Sequence, residues 1–304
     1  MRYFFFNPFT KQYYFPEGYK NYPLFGSFYT SYTIAGSLLW FFWRNFSFFN
    51  NLCLAKDTEK LLPITQIKAY VPASSILAFN LGTKGVEQKT TILGIDKTTK
   101  DEFFIKFAES SIARINVNNE GQVLQQLNHL NFVPKLQRHV NTSDYTLILT
   151  NTLKGKRLNW KPDQNELLTK LKLLANQSIK TNINYLSELE TCFAHGDFCP
   201  WNMMDHNGKL MLFDWEMAAN YPKGFDLFTH IFQTSFHLKP KKSISELLKE
   251  NNALIKSYFN FFSIVKWQDY LRAFASIKLE LETQKKDKSL MFLFQQLESY
   301  AKKI

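Results

Sequence analysis

The rhythm of apolar and polar positions changes twice along this chain of 304 residues. From about residue 67 to 152 the apolar residues come in short runs of strand length. Residues 76–80, 89–95, 103–107 and 145–149 read as strands, bounded by turn chemistry at Gly82-Thr83-Lys84-Gly85 and at 96–100. Between the third and fourth strands, Val123, Leu124, Leu127 and Leu130 recur at helical spacing, with Asn118 or Asn119 placed to cap that helix. From about residue 153 the helical period dominates, over 165–178, 183–189 and then from 225 to the end. One strand pair interrupts it. Residues 202–205 and 209–213 flank His206-Asn207-Gly208, and Asn-Gly between apolar runs predicts a tight hairpin, because both residues tolerate positive φ.

Residues 1–66 have a third texture, rich in aromatics and poor in charge. Residues 21–43 carry no charge at all, which raises the question of a membrane span. Pro23, Gly26, Ser27, Thr30, Ser31, Thr33 and Gly36 break the run, and a spanning helix needs about 20 mostly apolar residues. The sequence is therefore read without a transmembrane segment, and the opening apolar run is too short for a signal peptide. Trp40-Phe41-Phe42-Trp43 is expected to pack in a core, with peripheral bilayer contact beside Arg44 as the second reading. No internal repeat is present.

Composition narrows the partners without choosing one. A formal charge of +11 and a pI of about 9.3 favour anionic molecules such as nucleotides, phosphosugars or acidic lipids. Nucleic acid fits least, since the lysines are scattered and no recognition module is visible. Cys53, Cys192 and Cys199 have neither zinc-ligand spacing nor an even count, so a reducing, cytoplasmic setting is expected.

The candidate chemistry lies in His195-Gly196-Asp197-Phe198-Cys199-Pro200-Trp201-Asn202, followed after the hairpin by Asp214-Trp215-Glu216. Phosphoryl transfer needs an oriented acceptor hydroxyl and a divalent cation against the phosphate charge. Hard cations take carboxylate and amide oxygens. Asp197, Asn202 and Asp214 supply that inventory, and the hairpin returns Asn202 and Asp214 to the same end of the strand pair. His195 as a general base is the weaker reading, and Cys199 has no neighbouring base to make it a nucleophile.

His195-Gly-Asp197-x4-Asn202 followed by Asp214-Trp215-Glu216 resembles the aminoglycoside phosphotransferase and choline kinase family, the small-molecule relatives of protein kinases. The resemblance extends over about residues 70–240. It implies an α+β, protein-kinase-like fold of two lobes, with a small antiparallel sheet and one helix over a mainly helical lobe. The corresponding division is an N-terminal extension at 1–66, an N-lobe at 67–152, and a C-lobe at 153–304 carrying the catalytic loop and acceptor-binding helices. By the same resemblance Asp197 orients the acceptor hydroxyl, and Asn202 and Asp214 hold Mg2+. Lys106 meets the α and β phosphates of ATP or GTP, Glu120 pairs with Lys106, and Gly82 and Gly85 lie in the turn near the phosphates. His195 and Asp226 support the catalytic loop.

Several residues depart from the protein-kinase pattern. Asp-Trp-Glu stands for Asp-Phe-Gly, Gly-x-Gly-x-x-Gly is incomplete, and the interval between Asp214 and Asp226 leaves no room for an activation loop. A small-molecule acceptor follows. Relatives with the His-Gly-Asp-Phe-x-Pro-Trp-Asn variant imply a sugar or glycolipid of a cell-surface glycan pathway, met at the inner face of a membrane. Two alternatives stay open, a catalytically silent pseudokinase and a membrane-associated scaffold for glycan assembly.

Overall fold

A computed structural model of the chain describes residues 1–6, 11–29, 33–45, 53–56, 58–158, 162–181, 185, 188–238, 242–285 and 287–304. These residues form two compact units. One comprises Met1–Gly121 with Lys135–Thr152, the other Gln122–Pro134 with Leu153–Ile304.

The first unit is built on a seven-stranded antiparallel sheet. Its strands are β1 (Tyr3–Phe6), β2 (Tyr13–Pro16), β3 (Ser75–Asn80), β4 (Thr90–Asp96), β5 (Glu102–Ala108), β6 (Leu136–Asn141) and β7 (Thr146–Asn151). They lie in the order β1-β2-β3-β4-β5-β7-β6. The side-chain alternation of a strand divides the apolar residues between two faces. Leu77, Phe79, Ile92, Phe103, Ile105, Phe107, Leu147 and Leu149 form one buried cluster with Tyr3 and Tyr14. Ile76, Ala78, Leu93 and Ile95 form the other with Phe6, Phe15, Tyr19, Phe25 and Trp43.

Two strands of the sheet thus come from the first 66 residues. β1 and β2 pair in register from Tyr3 opposite Pro16 to Phe6 opposite Tyr13, and β2 continues onto β3. The Trp-Phe-Phe-Trp run divides by helical period along the helix Ile34–Asn45. Trp43 is buried and Trp40 packs on the second cluster, whereas Phe41 and Phe42 are 57% and 45% exposed. The expectation that all four pack in a core holds for the tryptophans and not for the phenylalanines. Among the described residues no helix is long and apolar enough to cross a membrane.

Two further expectations need correction. The helix after β5 begins at Ser111 and runs to Leu127, so Asn118 and Asn119 lie inside it rather than capping it. Its first turns escaped notice because Ile112 and Ile115 are exposed, which blurs the apolar stripe. β6 was not anticipated either. It is a partly exposed edge strand, Leu-Gln-Arg-His-Val-Asn, with little apolar alternation to signal it.

The second unit is mainly helical. Its helices include Gln164–Ala175, Ile244–Glu250, Asn252–Phe261, Trp267–Lys285 and Lys288–Ala301. Asp163 caps the first of these, its Oδ1 accepting the N–H groups of Asn165 and Glu166. Two small sheets carry the loops of interest. β8 (Lys156–Arg157), β10 (Met203–His206) and β11 (Lys209–Leu212) form one in the order β11-β10-β8, and β9 (Thr191–Ala194) pairs with β12 (Ala219–Pro222) in the other. The predicted hairpin is present, with Met203 opposite Leu212 and positive φ at Asn207 (55°) and Gly208 (79°). The helix expected over 183–189 lies largely outside the described residues.

Candidate active site

β9 delivers the chain into the loop 195–202 at Ala194. Gly196 turns it with φ +83°, and a Cβ there would stand 2.1 Å from the Met217 carbonyl oxygen. Only glycine satisfies both demands. The Asp226 carboxylate, buried beneath the loop, accepts the N–H groups of His195 (2.7 Å) and Gly196 (2.9 Å). Burial pushes its pKa up, while His195, the two N–H donors and Lys278 oppose the rise.

His195 is fully buried against Trp215, with ring centroids 4.5 Å apart. Its Nε2 lies 3.0 Å from the Phe213 carbonyl, which can only accept, so Nε2 carries the proton. Nδ1 is then the acceptor for the Asp197 N–H at 3.3 Å. Both ring nitrogens are used inside the loop. The histidine ties the loop at Asp197 to the strand end at Phe213.

In the run 192–200 every residue but Asp197 is buried. Asn202 fixes that carboxylate from one side, its Nδ2 donating to Asp197 Oδ2 at 2.8 Å and to the Asp197 carbonyl at 3.0 Å. With the amide nitrogen so occupied, Asn202 Oδ1 is the atom left to meet a cation. The Phe213 N–H donates to the Asn202 carbonyl at 3.1 Å, so the chain returns beside Asn202 one residue before Asp214. Asp214 is partly exposed and stands at φ +70°, ψ 62°, a left-handed conformation uncommon for an aspartate. Held strain of this kind concentrates at functional sites. Glu216 follows in a short turn, Trp215–Met217, and is partly buried.

Two residues that sequence reading missed complete the surroundings of Asp197. Gln233 Nε2 donates to Asp197 Oδ1 at 2.6 Å, and Lys278 Nζ donates to Gln233 Oε1 at 2.6 Å and to the Gly196 carbonyl at 3.3 Å. A signal for Lys278 was available. It falls on the stripe of Leu271, Phe274 and Ala275, where a helix of this type places its core residues.

Cys199 is buried in the same loop, and desolvation with the Asp197 charge raises its pKa well above the ordinary thiol value. It stays a protonated thiol, unsuited to nucleophilic work.

In the first unit, Lys106 and Glu120 meet. Lys106 lies on β5, between β4 and β7, so it is not an edge lysine. Its Nζ stands 2.5 Å from Glu120 Oε2, with both side chains buried. Glu120 reaches it from well inside the helix Ser111–Leu127, not from a helix start. The Gly82–Gly85 turn is bonded to the residues around it. The Gly82 N–H donates to Asn80 Oδ1 at 3.0 Å, and its carbonyl accepts from Gln12 Nε2 at 3.1 Å. A Cβ on Gly85 would meet nothing within 4 Å.

Residues 147–241 match the model of the phosphotransferase enzyme family, APH. Over that stretch the chain is similar to the phosphotransferases of that family. The match contains Asp197, Asn202, Asp214 and Asp226, while Lys106 and Glu120 precede it and Lys278 follows it. No curated protein matches the sequence. Solved structures agree on the kinase-like fold. An amicoumacin kinase in complex with AMP-PNP and Ca2+ superposes with TM-score 0.55 at 11% identity, covering 81% of this chain and 94% of that one. The Plasmodium vivax ethanolamine kinase gives 0.53 at 12%, covering 81% and 89%. An aminoglycoside phosphotransferase from Streptomyces rimosus, solved with ADP and streptomycin, gives 0.50 at 11%, covering 80% and 99%. At such identities the likeness establishes the α+β kinase-like fold, as the sequence led one to expect.

Proposed function

We propose that the protein transfers the γ-phosphoryl group of ATP or GTP, with Mg2+, to a hydroxyl of a small molecule. The observation that carries this reading is Asp197. It is a carboxylate clamped by two amide donors yet partly exposed, inside the segment that matches the phosphotransferase family. Such a group can accept a hydrogen bond from an incoming hydroxyl and aim its oxygen, and orientation supplies most of the catalysis in this chemistry. The donor set suits a hard cation, since Asn202 Oδ1 and the Asp214 carboxylate are oxygen ligands. When bound, Mg2+ would neutralise phosphate charge. Lys106, already braced by Glu120, would meet the α and β phosphates. A phosphate at the Gly82–Gly85 turn would compete with Asn80 for the Gly82 N–H.

The test is nucleotide consumption by the purified chain with Mg2+, screened over sugars, aminosugars, choline-like alcohols and glycolipid extracts, beside Asp197→Asn. Acceptor-dependent turnover that disappears in the variant supports the proposal. A chain that binds no Mg-nucleotide and turns over no acceptor defeats it, and leaves the scaffold as the reading to pursue. Binding without turnover on any acceptor would favour the silent pseudokinase.

The acceptor class we favour is a sugar or lipid-linked saccharide, met at the cytoplasmic face of a membrane. Its support is a partly exposed aromatic in the loop itself, Trp201, edge-on to His237 at 5.2 Å, and an exposed apolar face on the helix Ile34–Asn45. Ile34, Leu38, Leu39, Phe41 and Phe42 are all exposed there, and Arg44 closes the last turn. A helix of this character suits a lipid interface, and the +11 charge favours anionic headgroups. Salt-sensitive sedimentation with anionic vesicles, lost on replacing Phe41 and Phe42 by serine, is the expected result. Equal binding by parent and variant would remove membrane contact from the proposal.

A further inference from the structure

The side chains around Asp197 form a directed chain of donors that reaches into the helix Trp267–Lys285, outside the segment matched by the family model. Lys278 is 4% exposed, and a lysine ammonium has three donors and no acceptor. Whatever faces it must accept. Gln233 Oε1 does so at 2.6 Å, which fixes the orientation of the amide and turns Nε2 toward Asp197 Oδ1, again at 2.6 Å. Asn202 holds the other carboxylate oxygen at 2.8 Å. Asp197 is thus gripped at both oxygens, and one grip is set through Gln233 by the buried cation of Lys278.

Backbone geometry adds a second, independent observation. Gln233 closes a π-helical turn, Thr229–Gln233, set between the short α-helices Phe225–Phe228 and Thr234–Leu238. A π turn inserts a residue and rotates everything beyond it by about 100° relative to an uninterrupted α-helix. Such turns are rare and concentrate at functional sites. All five residues of this one are buried, so the rotation is held by packing.

Lys278 is also bonded to the Gly196 carbonyl at 3.3 Å and lies over the Phe225 ring at 5.4 Å. The charged and titratable groups that face it are Asp197, Cys199, Asp226, Glu282 and Lys285. Burial of a lone ammonium is costly, and nothing about packing alone asks for one at this core position.

We infer that Gln233 and Lys278 are positioning residues for Asp197, the lysine setting the amide and the amide setting the carboxylate that receives the acceptor hydroxyl. This inference rests on the phosphotransferase reading proposed above. It adds that the competence of Asp197 is decided by a helix beyond the recognisable motif, through a side chain that touches neither nucleotide nor acceptor.

The experiment uses the full chain with Gln233→Leu, Gln233→Glu, Lys278→Met and Asp197→Asn, comparing kcat, KM for nucleotide, Mg-nucleotide affinity and thermal melting. A misaimed reactive group costs up to about 100-fold in rate. The expected result is therefore a fall in kcat of roughly 30–100-fold in both Gln233 variants and about 10-fold in Lys278→Met, with nucleotide KM and affinity within about 2-fold of the parent. Gln233→Glu is the discriminating variant. As the carboxylate, it keeps the shape and still accepts from Lys278, but it has no proton to donate to Asp197. Full activity in Gln233→Glu, or kcat within about 2-fold of the parent in Gln233→Leu, overturns the inference by showing that the residue merely fills space. Should Lys278→Met melt before assay, the Gln233 pair decides. Turnover that is lost in Asp197→Asn yet untouched in the Gln233 variants defeats this inference and spares the phosphotransferase reading. No turnover in the parent, or full turnover in Asp197→Asn, defeats both.

Discussion

Phe6, Phe15 and Trp43 of the first unit are held ring against ring, whereas the loop of Asp197 in the second is held donor against acceptor. Phe6 packs edge-on to Tyr29, Trp40 and Trp43, and Phe15 touches Tyr19, Trp40 and Trp43, with centroids 4.6–5.4 Å apart. Such contacts contribute through area and tolerate many geometries. In the second unit Asp226, His195, Asn202, Gln233 and Lys278 each have a partner that only one orientation satisfies. The difference teaches where each unit is brittle. The aromatic layer should respond to lost volume, and the polar loop to lost atoms at constant volume.

Asp197→Asn is the sharpest break at constant volume. Transfer activity should fall by about 10²–10⁴-fold, the usual contribution of a positioned proton acceptor, while circular dichroism shows a folded chain. An activity loss below about 10-fold would leave the loop without its proposed centre. In the aromatic layer, Phe15→Ala should cost about 3–5 kcal/mol in denaturant unfolding, because it opens a cavity under a fully buried ring. Phe15→Leu keeps most of the volume and should cost under about 2 kcal/mol, which would confirm that this layer reads volume rather than ring geometry.

The pH dependence of Lys278 sharpens the contrast further. Desolvation holds its pKa below the ordinary lysine value of 10.5, although Asp197, Cys199 and Glu282 pull it up. For a base depressed on folding, the unfolded chain binds more protons within the window between the depressed value and 10.5, so stability rises with pH there. Melting of the parent should therefore gain on that of Lys278→Met as pH is raised through that window. A constant difference would mean that Lys278 is held without a desolvation cost.

Thiol chemistry tests how closed both units are. Cys53, Cys192 and Cys199 are all buried, and burial first, with the Asp226 charge, pushes the Cys192 thiol up to about 12. None should react with a thiol reagent at mildly alkaline pH before denaturant is added, and all three should react after it. Smallest of all, Phe41→Ser should change stability by less than about 0.5 kcal/mol, because that ring is exposed.

Much of the site was legible because its motif is local. Asp197 and Asn202 lie in one loop, and Asn207-Gly208 announces the hairpin that brings Asp214 back, so spacing alone encodes their meeting. β3, β4, β5 and β7 were legible for a related reason, each being a short apolar run between turn residues. β1, β2 and β6 were not. β1 is aromatic throughout and β2 is aromatic up to Pro16, so neither shows clean alternation, and β6 is a polar edge. The Lys106–Glu120 pair was anticipated from the resemblance, but the helix that carries Glu120 starts earlier than its sequence suggested.

The sequence by itself determined the reaction chemistry on offer: a carboxylate, an amide and a second carboxylate at loop-and-hairpin spacing, with a histidine and glycine to shape the turn. Only the tertiary structure decided which partners orient them. Gln233 and Lys278 reach Asp197 from 36 and 81 residues away, and neither composition nor periodicity records contacts over such separations. The same holds for Phe41 and Phe42 beside Trp40 and Trp43. Four adjacent aromatics look alike along the chain, and the helical rotation of about 100° per residue sends some to the core and others to solvent.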